Sequence, residues 1–560
     1  MSALRVLILG GYGTFGGRLA RLLADDARLT LIVAGRSLKK AEQFCAALDA
    51  GATLLPRRFD RDGDAEAQLA SLKPDIVVDA SGPFQIYRNP YALVRAAIAQ
   101  GIDYLDLADG SDFVKGIAQF DAAARARGVF VLSGASSFPV LTAAVVRRLG
   151  HGMTRIDTIA GGIAPSPYAG VGQNVIHAIA GYAGKPVALI RDGEKAIGYG
   201  LAETRRYTVA PPGRLPLSNI RFSLVDVPDL QVLPALWPGL HAIWMGAGPV
   251  PEILHRMLNL CALAVRFKLF PSMAPLAGLM YRAINVLRWG EHRGGMYVAV
   301  QGADESGAPI ERSWHMIAEG NDGPLIPAMA CEAFVRHCLH GKRPASGARP
   351  ATVDLELTDY EALFARRAIV TGRRDVTAEA PALALYRRLL GDAYHAMAAP
   401  LREMHDIKGA MAAEGRANVT RGRGLLARVV AAIVGFPLAG ENIPVRVDFK
   451  LENGRERWTR TFAGRTFHST QEQGRGRDEW LLCERFGPLK VGMALVLDDG
   501  RLRLVVRRWS VLGIPLPLWL APGGDSYEYA EDGRFSFHVE IRHPWTGPIV
   551  GYQGWLVPRK

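Results

Sequence analysis

Four glycines near the start of the chain have the type and spacing to cradle a diphosphate: Gly10, Gly11, Gly13 and Gly16, within RVLILGGYGTFGG from Arg5 to Gly17. Glycine lets the backbone turn tightly and approach a ligand, and the N–H groups and partial positive charge at a helix start attract pyrophosphate. The glycines fit GxGxxG (Gly11, Gly13, Gly16) and GxxGxxG (Gly10, Gly13, Gly16) equally, with Tyr12, Thr14 and Phe15 filling the turn. Either pattern alone is a weak signal, and its meaning comes from a strand before it and a helix after it. Val6–Leu9 supplies an apolar strand, and Gly17–Ala24 has helical periodicity through Leu19, Leu22 and Leu23.

The next strand bears on which dinucleotide is bound. Leu29–Ala34 is apolar and β-branched, and it ends in Gly35, Arg36 and Ser37, with Lys39 and Lys40 following. An NAD site places an acid here on the ribose 2′-hydroxyl, whereas a guanidinium suits a 2′-phosphate. The expected cofactor is therefore NADP(H) in preference to NAD(H); that Arg36 merely caps a strand on a solvated face remains the other reading. Leu54–Phe59 is a third strand ending at Asp60, which either hydrogen-bonds near an adenine or caps a helix. Ile76–Ala80 is the fourth, opening into Ser81, Gly82, Pro83 and Phe84 at a carboxyl strand end, where open α/β sheets bind ligands. The Ala80–Pro83 turn is expected beside the ribose or nicotinamide.

A hydride acceptor whose product needs a proton requires a donor within reach. The candidates are Tyr104, Asp106 and Asp109 at another carboxyl strand end, Ser136 and Ser137 in a later turn, and Tyr87 beyond the Phe84 turn. Each also has a structural reading, since aspartates cap helices and serines in turns bond backbone N–H groups. Tyr168 and His177 are further candidates from the following region, where a lone histidine on a helix is more often structural. No Ser-His-Asp arrangement and no metal cluster is evident in the sequence.

The elements that must position these residues alternate. Tyr91–Gln100 reads as a helix, Tyr104–Leu107 as a strand, Phe113–Arg127 as a helix and Val129–Leu132 as a strand, which predicts a doubly wound parallel sheet. At 560 residues the chain should hold roughly three or four structural units, at about 150 residues each. Its net charge of +13 allows anionic partners. The arginines are dispersed and carry no RNA-binding or zinc signature, so nucleic acid is not an expected partner. Five cysteines without metal-ligand spacing argue against a disulfide framework and for a reduced, cytoplasmic setting. A strand begins within a few residues of Met1, leaving no room for a signal peptide.

Five blocks together resemble the NADP-binding module of the saccharopine dehydrogenase-like oxidoreductases: GGYGTFG at Gly10–Gly16, AGRS at Ala34–Ser37, DASGPF at Asp79–Phe84, YLDLADG at Tyr104–Gly110 and GASSFPVLT at Gly134–Thr142. The resemblance implies a Rossmann domain, a nicotinamide cofactor and a second α/β domain whose sheet faces the cofactor. It does not imply saccharopine as substrate. Similar members include trans-acting enoyl reductases of lipid and polyketide pathways and lipid-associated proteins with no assigned reaction.

The expected layout is a Rossmann domain over residues 1–150, a substrate domain over 151–375 and an antiparallel α+β domain over 380–560. In the middle region Arg155–Ile163 reads as a strand, Gly172–Ala183 as a helix, and Tyr297–Ala303 with Glu311–Ala318 as strands paired around the Asp304–Ala308 turn. Ala328–His340 reads as a helix and the basic stretch Gly341–Pro350 as a loop. Residues 251–290 are apolar but carry Arg256, Arg266, Lys268, Arg282 and Arg288, and their charge-free runs fall short of the ~20 residues a spanning helix needs. They read either as a helix pair in a membrane interface or lining an entrance for an acyl chain, or as a core or homodimer-interface pair.

The last region begins at Ala380 with a helix over Leu383–Met397, a polar glycine-bearing stretch and an apolar helix over Gly424–Val434, and then turns to strands from Val445 to Val557. Asn453-Gly454 and Asp499-Gly500 mark hairpins. It resembles an uncharacterised domain fused behind saccharopine dehydrogenase-like modules, through GIPLPLWLAP at Gly513–Pro522 and GYQGWLVP at Gly551–Pro558. A strongly curved sheet against two helices either encloses a cavity for an apolar ligand or holds a filled core. The expected activity is an NADPH-dependent reduction of a C=C, C=O or C=N bond in a hydrophobic, acyl- or polyketide-derived small molecule. The alternative is a nucleotide-binding, lipid- or membrane-associated protein without turnover, peripheral on the inner membrane face.

Overall fold

The computed structural model describes residues 3–84, 87–170, 172–376 and 382–559. The start expected for the last region, Ala380, lies outside them.

The chain opens with β1 (Leu4–Leu9), α1 (Thr14–Leu23), β2 (Leu29–Gly35), α2 (Leu38–Ala46), β3 (Thr53–Arg58), α3 (Ala65–Leu72), β4 (Ile76–Asp79) and α4 (Ala92–Gln100). Then come β5 (Asp103–Asp106), α5 (Ser111–Gly116), α6 (Asp121–Ala126), β6 (Phe130–Ser133) and α7 (Thr142–Gly150). β1 is the centre of a parallel sheet, pairing Val6 with both Leu31 and Ile76. The strand order reverses there, β3-β2-β1 on one side and β4-β5-β6 on the other. Such a switch point leaves a crevice at the carboxyl strand ends. The single helix expected over Phe113–Arg127 is two, α5 and α6, joined by a 3₁₀ turn at Ile117–Phe120.

The second sheet is built by β7 (Met153–Ala164), α8 (Gln173–Tyr182), β8 (Pro186–Arg191), β9 (Glu194–Tyr199), β10 (Thr204–Val209), β11 (Leu217–Leu224), α9 (Asp229–Val232) and β12 (Ala242–Ala247). After α10 (Glu252–Arg266) and α11 (Ala277–Val286) follow β13 (Gly294–Asp304), β14 (Pro309–Ala318), α12 (Ile326–Leu339), β15 (Gly347–Pro350), α13 (Leu357–Phe364) and β16 (Ile369–Val376). Its order is β10-β11-β12-β7-β13-β14-β16, while β8 and β9 pair by themselves. The expected hairpin around Asp304–Ala308 is present, with Gly294 opposite Ala318. One expectation is corrected: Gly347–Pro350 is not loop but the seventh strand of the first sheet, parallel to β6 with Gly347 opposite Phe130. It lies more than 200 residues from its partner β6 in the chain, so no local signal marks it; Pro350 sits at the end of this edge strand, where a missing N–H is tolerated.

The Rossmann sheet and most of the second sheet form one compact unit, residues 3–205 and 221–370. The other unit takes 206–220 and 371–559. It contains α14 (Leu385–Leu390), α15 (Ala399–His405), β17 (Ala410–Arg421), α16 (Leu425–Val434), β18 (Gly440–Glu452), β19 (Arg455–Phe462) and β20 (Arg465–Gln473). These continue into β21 (Leu482–Phe486), β22 (Leu489–Asp498), β23 (Arg501–Val511), β24 (Ile514–Pro515), β25 (Ser526–Glu531), β26 (Arg534–His543) and β27 (Gly547–Arg559).

The antiparallel order β22-β21-β20-β19-β18-β17-β27-β26-β25-β23 closes on itself through β22–β23, so the curved sheet is a ten-stranded barrel, with β24 an appendage of β23. Two local readings are corrected. The polar stretch after the first helix contains α15 and β17, the strand that joins β18 to β27. The expected helix Leu383–Met397 is broken at Gly391, whose φ of +49° ends α14. The overall class, α/β with an antiparallel C-terminal domain, is as the sequence implies.

Candidate functional site

The crevice at the β1/β4 switch point is a cleft of about 1280 Å³. Its floor is backbone. Gly10 has φ +74°, and a Cβ there would lie 2.8 Å from the Ala80 carbonyl oxygen; one at Gly16 would lie 2.3 Å from the Gly10 oxygen. Only glycine at both places lets the turn fold under the first turn of α1. The N-cap of α1 is Gly13, and no side chain caps it, so the first-turn N–H groups face the cleft. The cradle therefore fits a dinucleotide pyrophosphate, with the helix dipole adding to the backbone donors.

Gly10, Tyr12, Gly13, Thr14, Phe15, Gly35, Arg36, Asp60, Ala80, Ser81, Gly82 and Pro83 line this cleft. Gly11 and Gly16 lie beneath it as buried supports. Ser37 turns away to cap α2, its hydroxyl accepting from Lys40 N, while its own N–H donates to the Tyr12 hydroxyl at 3.0 Å. Tyr12 packs over Gly35 so closely that a Cβ there would meet its hydroxyl at 2.6 Å. Arg36 is exposed at the carboxyl end of β2 with Lys40 beside it on the cleft wall, and neither has an acidic partner among the described residues. Asp60 is no helix cap; Asp64 fills that role for α3, and Asp60 instead accepts from Asp62 N and is pinned by Gln68.

The Ala80–Phe84 turn is held from below. Asp79, wholly buried, accepts from Ser81 N at 3.0 Å and Ser81 Oγ at 2.5 Å, and its other oxygen pairs with Arg61 Nε at 2.9 Å. Arg61 also donates to the Pro90 carbonyl and stacks its guanidinium 3.9 Å over the Tyr87 ring. Tyr87 in turn donates to the Ser81 carbonyl at 2.6 Å. Arg61 and Asp79 are not legible as a pair in the sequence, because the contact joins the regions after β3 and at the end of β4 and no local pattern announces it.

The proton-donor candidates separate. Tyr104 is fully buried, its hydroxyl 3.5 Å from Asp79, and burial drives its pKa well up. Asp106 is also fully buried, accepting from Gly134 N, Ala108 N and Ser133 Oγ; burial outweighs these bonds and raises its carboxyl to about 7. Both sit behind the cleft as supports for the turns above. Ser136 lies in its turn away from the cleft lining, and His177 is exposed on α8, bonded to the Gln173 carbonyl. Asp109 and Tyr87 do line the cleft.

A smaller pocket of about 180 Å³ shares Thr14, Phe15, Gly172 and Val175 with the cleft and extends over the second sheet to Met296, Met316 and Ile163. Its lining is mainly apolar, with Ser137 and His292 among the polar exceptions. His292 was not among the sequence candidates, since it stands alone in a loop before β13.

Residues 6–132 match the family description "saccharopine dehydrogenase NADP binding domain", and residues 397–556 match a domain of unknown function, DUF4166. No curated protein sequence matches the chain. Among solved structures, the chain is similar to apo saccharopine dehydrogenase (L-Glu forming) from Saccharomyces cerevisiae, at 12% identity and TM-score 0.48, over 67% of this chain and 100% of the other. Biliverdin reductase from Synechocystis, solved with biliverdin and NADP+, gives 12% identity and TM-score 0.29 over 64% and 94%. The WlbA dehydrogenase from Thermus thermophilus, solved with NAD and α-ketoglutarate, gives 13% and 0.29 over 61% and 90%. Residues 6–132 thus carry the NADP binding domain of the saccharopine dehydrogenase family, joined in one chain to a C-terminal domain of unknown function.

Proposed function

We propose that the chain is an NADPH-dependent reductase of a small hydrophobic molecule, acyl- or polyketide-derived, with reduction at a C=C, C=O or C=N bond. The observation that carries this reading is the continuity of the polar nucleotide cleft with an apolar pocket through Thr14, Phe15, Gly172 and Val175. A bound nicotinamide supplies the hydride. The chain's own residues bind and orient: Gly10–Gly16 and the α1 N-terminus hold the pyrophosphate, Arg36 and Lys40 take the 2′-phosphate, and Ala80–Pro83 flank the ribose. Asp109, on the loop after β5, is the proton donor this reading assigns. The preference for NADPH rests on two cations without acidic partners at the place where an acid would select NADH.

Fluorescence titration with NADPH and NADH, on the unaltered chain and Arg36→Ala, tests this. Tight NADPH binding weakened about tenfold or more in the variant, with NADH binding unchanged, is expected. Equal affinity of the unaltered chain for both nucleotides removes the preference, and binding of neither removes the reductase reading.

We also propose a peripheral membrane contact through α10 and α11. One face of this pair is buried, at His255, Asn259, Ala262, Ala277 and Met280. The other exposes Met257, Leu260, Phe270 and Leu279 beside Lys268, Arg282 and Arg288. That combination suits the surface of an anionic bilayer. No helix among the described residues is long and apolar enough to cross one. Partitioning onto phosphatidylglycerol vesicles should fall when Lys268, Arg282 and Arg288 are replaced by Gln. Unchanged partitioning would reject this stretch as the anchor, and a dimer in light scattering that Leu260→Asp dissociates would assign the face to a second copy instead.

A further inference from the structure

We propose that the C-terminal barrel binds the hydrocarbon chain of a single lipid, taken tail first from an anionic membrane surface through its apolar rim. The inference is independent of the reductase reading, because no residue of the nucleotide cleft enters it.

Strand number comes first. Eight strands leave an interior that side chains fill or that holds one small ligand, and the diameter grows with each added strand. Here ten strands close. Alternate residues point inward, as the period of two requires: Leu489, Val491 and Met493 on β22, and Phe535, Phe537 and Val539 on β26. These side chains leave a cavity of about 560 Å³, within the range of small-molecule sites. Its lining is overwhelmingly apolar.

The two ends differ. The end nearest α14 and α15 is closed by Tyr386 stacked on His405 at 3.6 Å, with Trp458 stacked beyond. Charged side chains lining that end pair with one another. Glu484 accepts from Arg460 at 3.0 Å and from Ser469 at 2.6 Å, and Glu528 pairs with His405 at 2.6 Å. A charged head group would have to break these buried pairs, whereas a hydrocarbon tail would not. The inner end therefore takes the tail.

The other end is a rim. α16 spans it between β17 and β18, packing Ala427 and Ala431 inward while Leu426, Val430 and Ile433 line the cavity. Ile433 is nonetheless 77% exposed and Leu425 82%; Trp545, which also lines the cavity, is 71% exposed, and Leu512, next to the lining Val511, is 79% exposed. Contiguous apolar exposure of this kind marks a contact site. Arg423 and Arg428, exposed on and beside the same helix, have no acidic partner among the described residues and suit anionic head groups. The rim and the cavity are continuous, so a tail leaving the bilayer need not cross water.

The test uses the full chain and cis-parinaric acid, whose fluorescence reports an apolar site. Saturable binding displaced by the uncharged hexadecanol is expected. Val506→Trp and Val539→Trp, which fill the cavity from two strands, should each weaken binding about tenfold or more with circular dichroism and NADPH titration unchanged. Leu426→Asp/Ile433→Asp should slow transfer of the probe from phosphatidylcholine–phosphatidylglycerol vesicles several-fold while equilibrium binding persists. Failure of the unaltered chain to bind the probe saturably, failure of hexadecanol to displace it, or folded tryptophan variants that bind normally would overturn the cavity assignment. An unchanged transfer rate in the rim variant would overturn loading at the membrane.

Discussion

The nucleotide cleft of the first unit and the cavity of the second are bounded by opposite means. The cleft is walled by backbone and polar side chains: a glycine turn, the first turn of α1, Arg36 and Lys40, and a turn anchored on the buried Arg61–Asp79 pair. The barrel cavity is walled by side chains of alternating strand positions, and its few charges are spent on each other. A polar site needs a few atoms in fixed places and obtains them from short local motifs. An apolar site needs area and closure, which many distant residues supply together, each contributing little alone.

That contrast can be broken in order of expected effect. Arg61→Ala should be the most damaging change, because it leaves the Asp79 carboxylate buried without its cation. Removing one partner of such a pair costs about 3–5 kcal/mol, so chemical denaturation should show the first unit unfolding early and nucleotide binding lost with it. Barrel binding of parinarate in the same sample should persist if the two units are independent, and its loss would show that they unfold together.

Gly16→Val places a Cβ 2.3 Å from the Gly10 carbonyl oxygen. It should weaken NADPH binding by about a hundredfold or more while leaving parinarate binding intact. Retention of nucleotide affinity would mean that the glycine turn is not the cradle.

Asp106 offers a pH test confined to the first unit. Its folded carboxyl titrates at about 7, above the ordinary value near 4 of an unfolded aspartate. The folded state then holds the proton more tightly, so this contribution is complete at low pH and is lost as pH rises through about 7. Thermal melts should show the unaltered chain losing stability between about pH 4 and 7 relative to Asp106→Asn, which cannot ionise. Parallel pH profiles would exclude a buried ionisable Asp106.

The smallest effect is expected at the barrel rim. Leu512→Ser removes an apolar side chain that is 79% exposed, so stability should shift within about 0.5 kcal/mol. A larger loss in a melt would show that the rim is packed rather than open.

Legibility followed the same divide. The glycine turn, the Arg36 position and the Ser81–Pro83 turn were readable because each is a run of a few residues whose conformation is set by its own chemistry. Tyr104 and Asp106 carried the right types for acid chemistry, yet their place behind the cleft depends on strands packed on both sides. β17 hid because its sequence, AMAAEGRANVTR, is small and polar rather than β-branched. The reason is tertiary: a Cβ at Gly415 would lie 1.8 Å from the Trp555 carbonyl, so the partner strand requires glycine there.

The sequence alone therefore determined the parallel sheet, the glycine turn under α1 and the alternating strands of the C-terminal domain, because periodicity and glycine chemistry act within a few residues. Only the tertiary structure decided that Gly347–Pro350 completes the first sheet, that Arg61 holds the Asp79 turn and that ten strands close around an apolar cavity. Those features join residues far apart in the chain, and nothing local to either partner carries the free energy of their meeting.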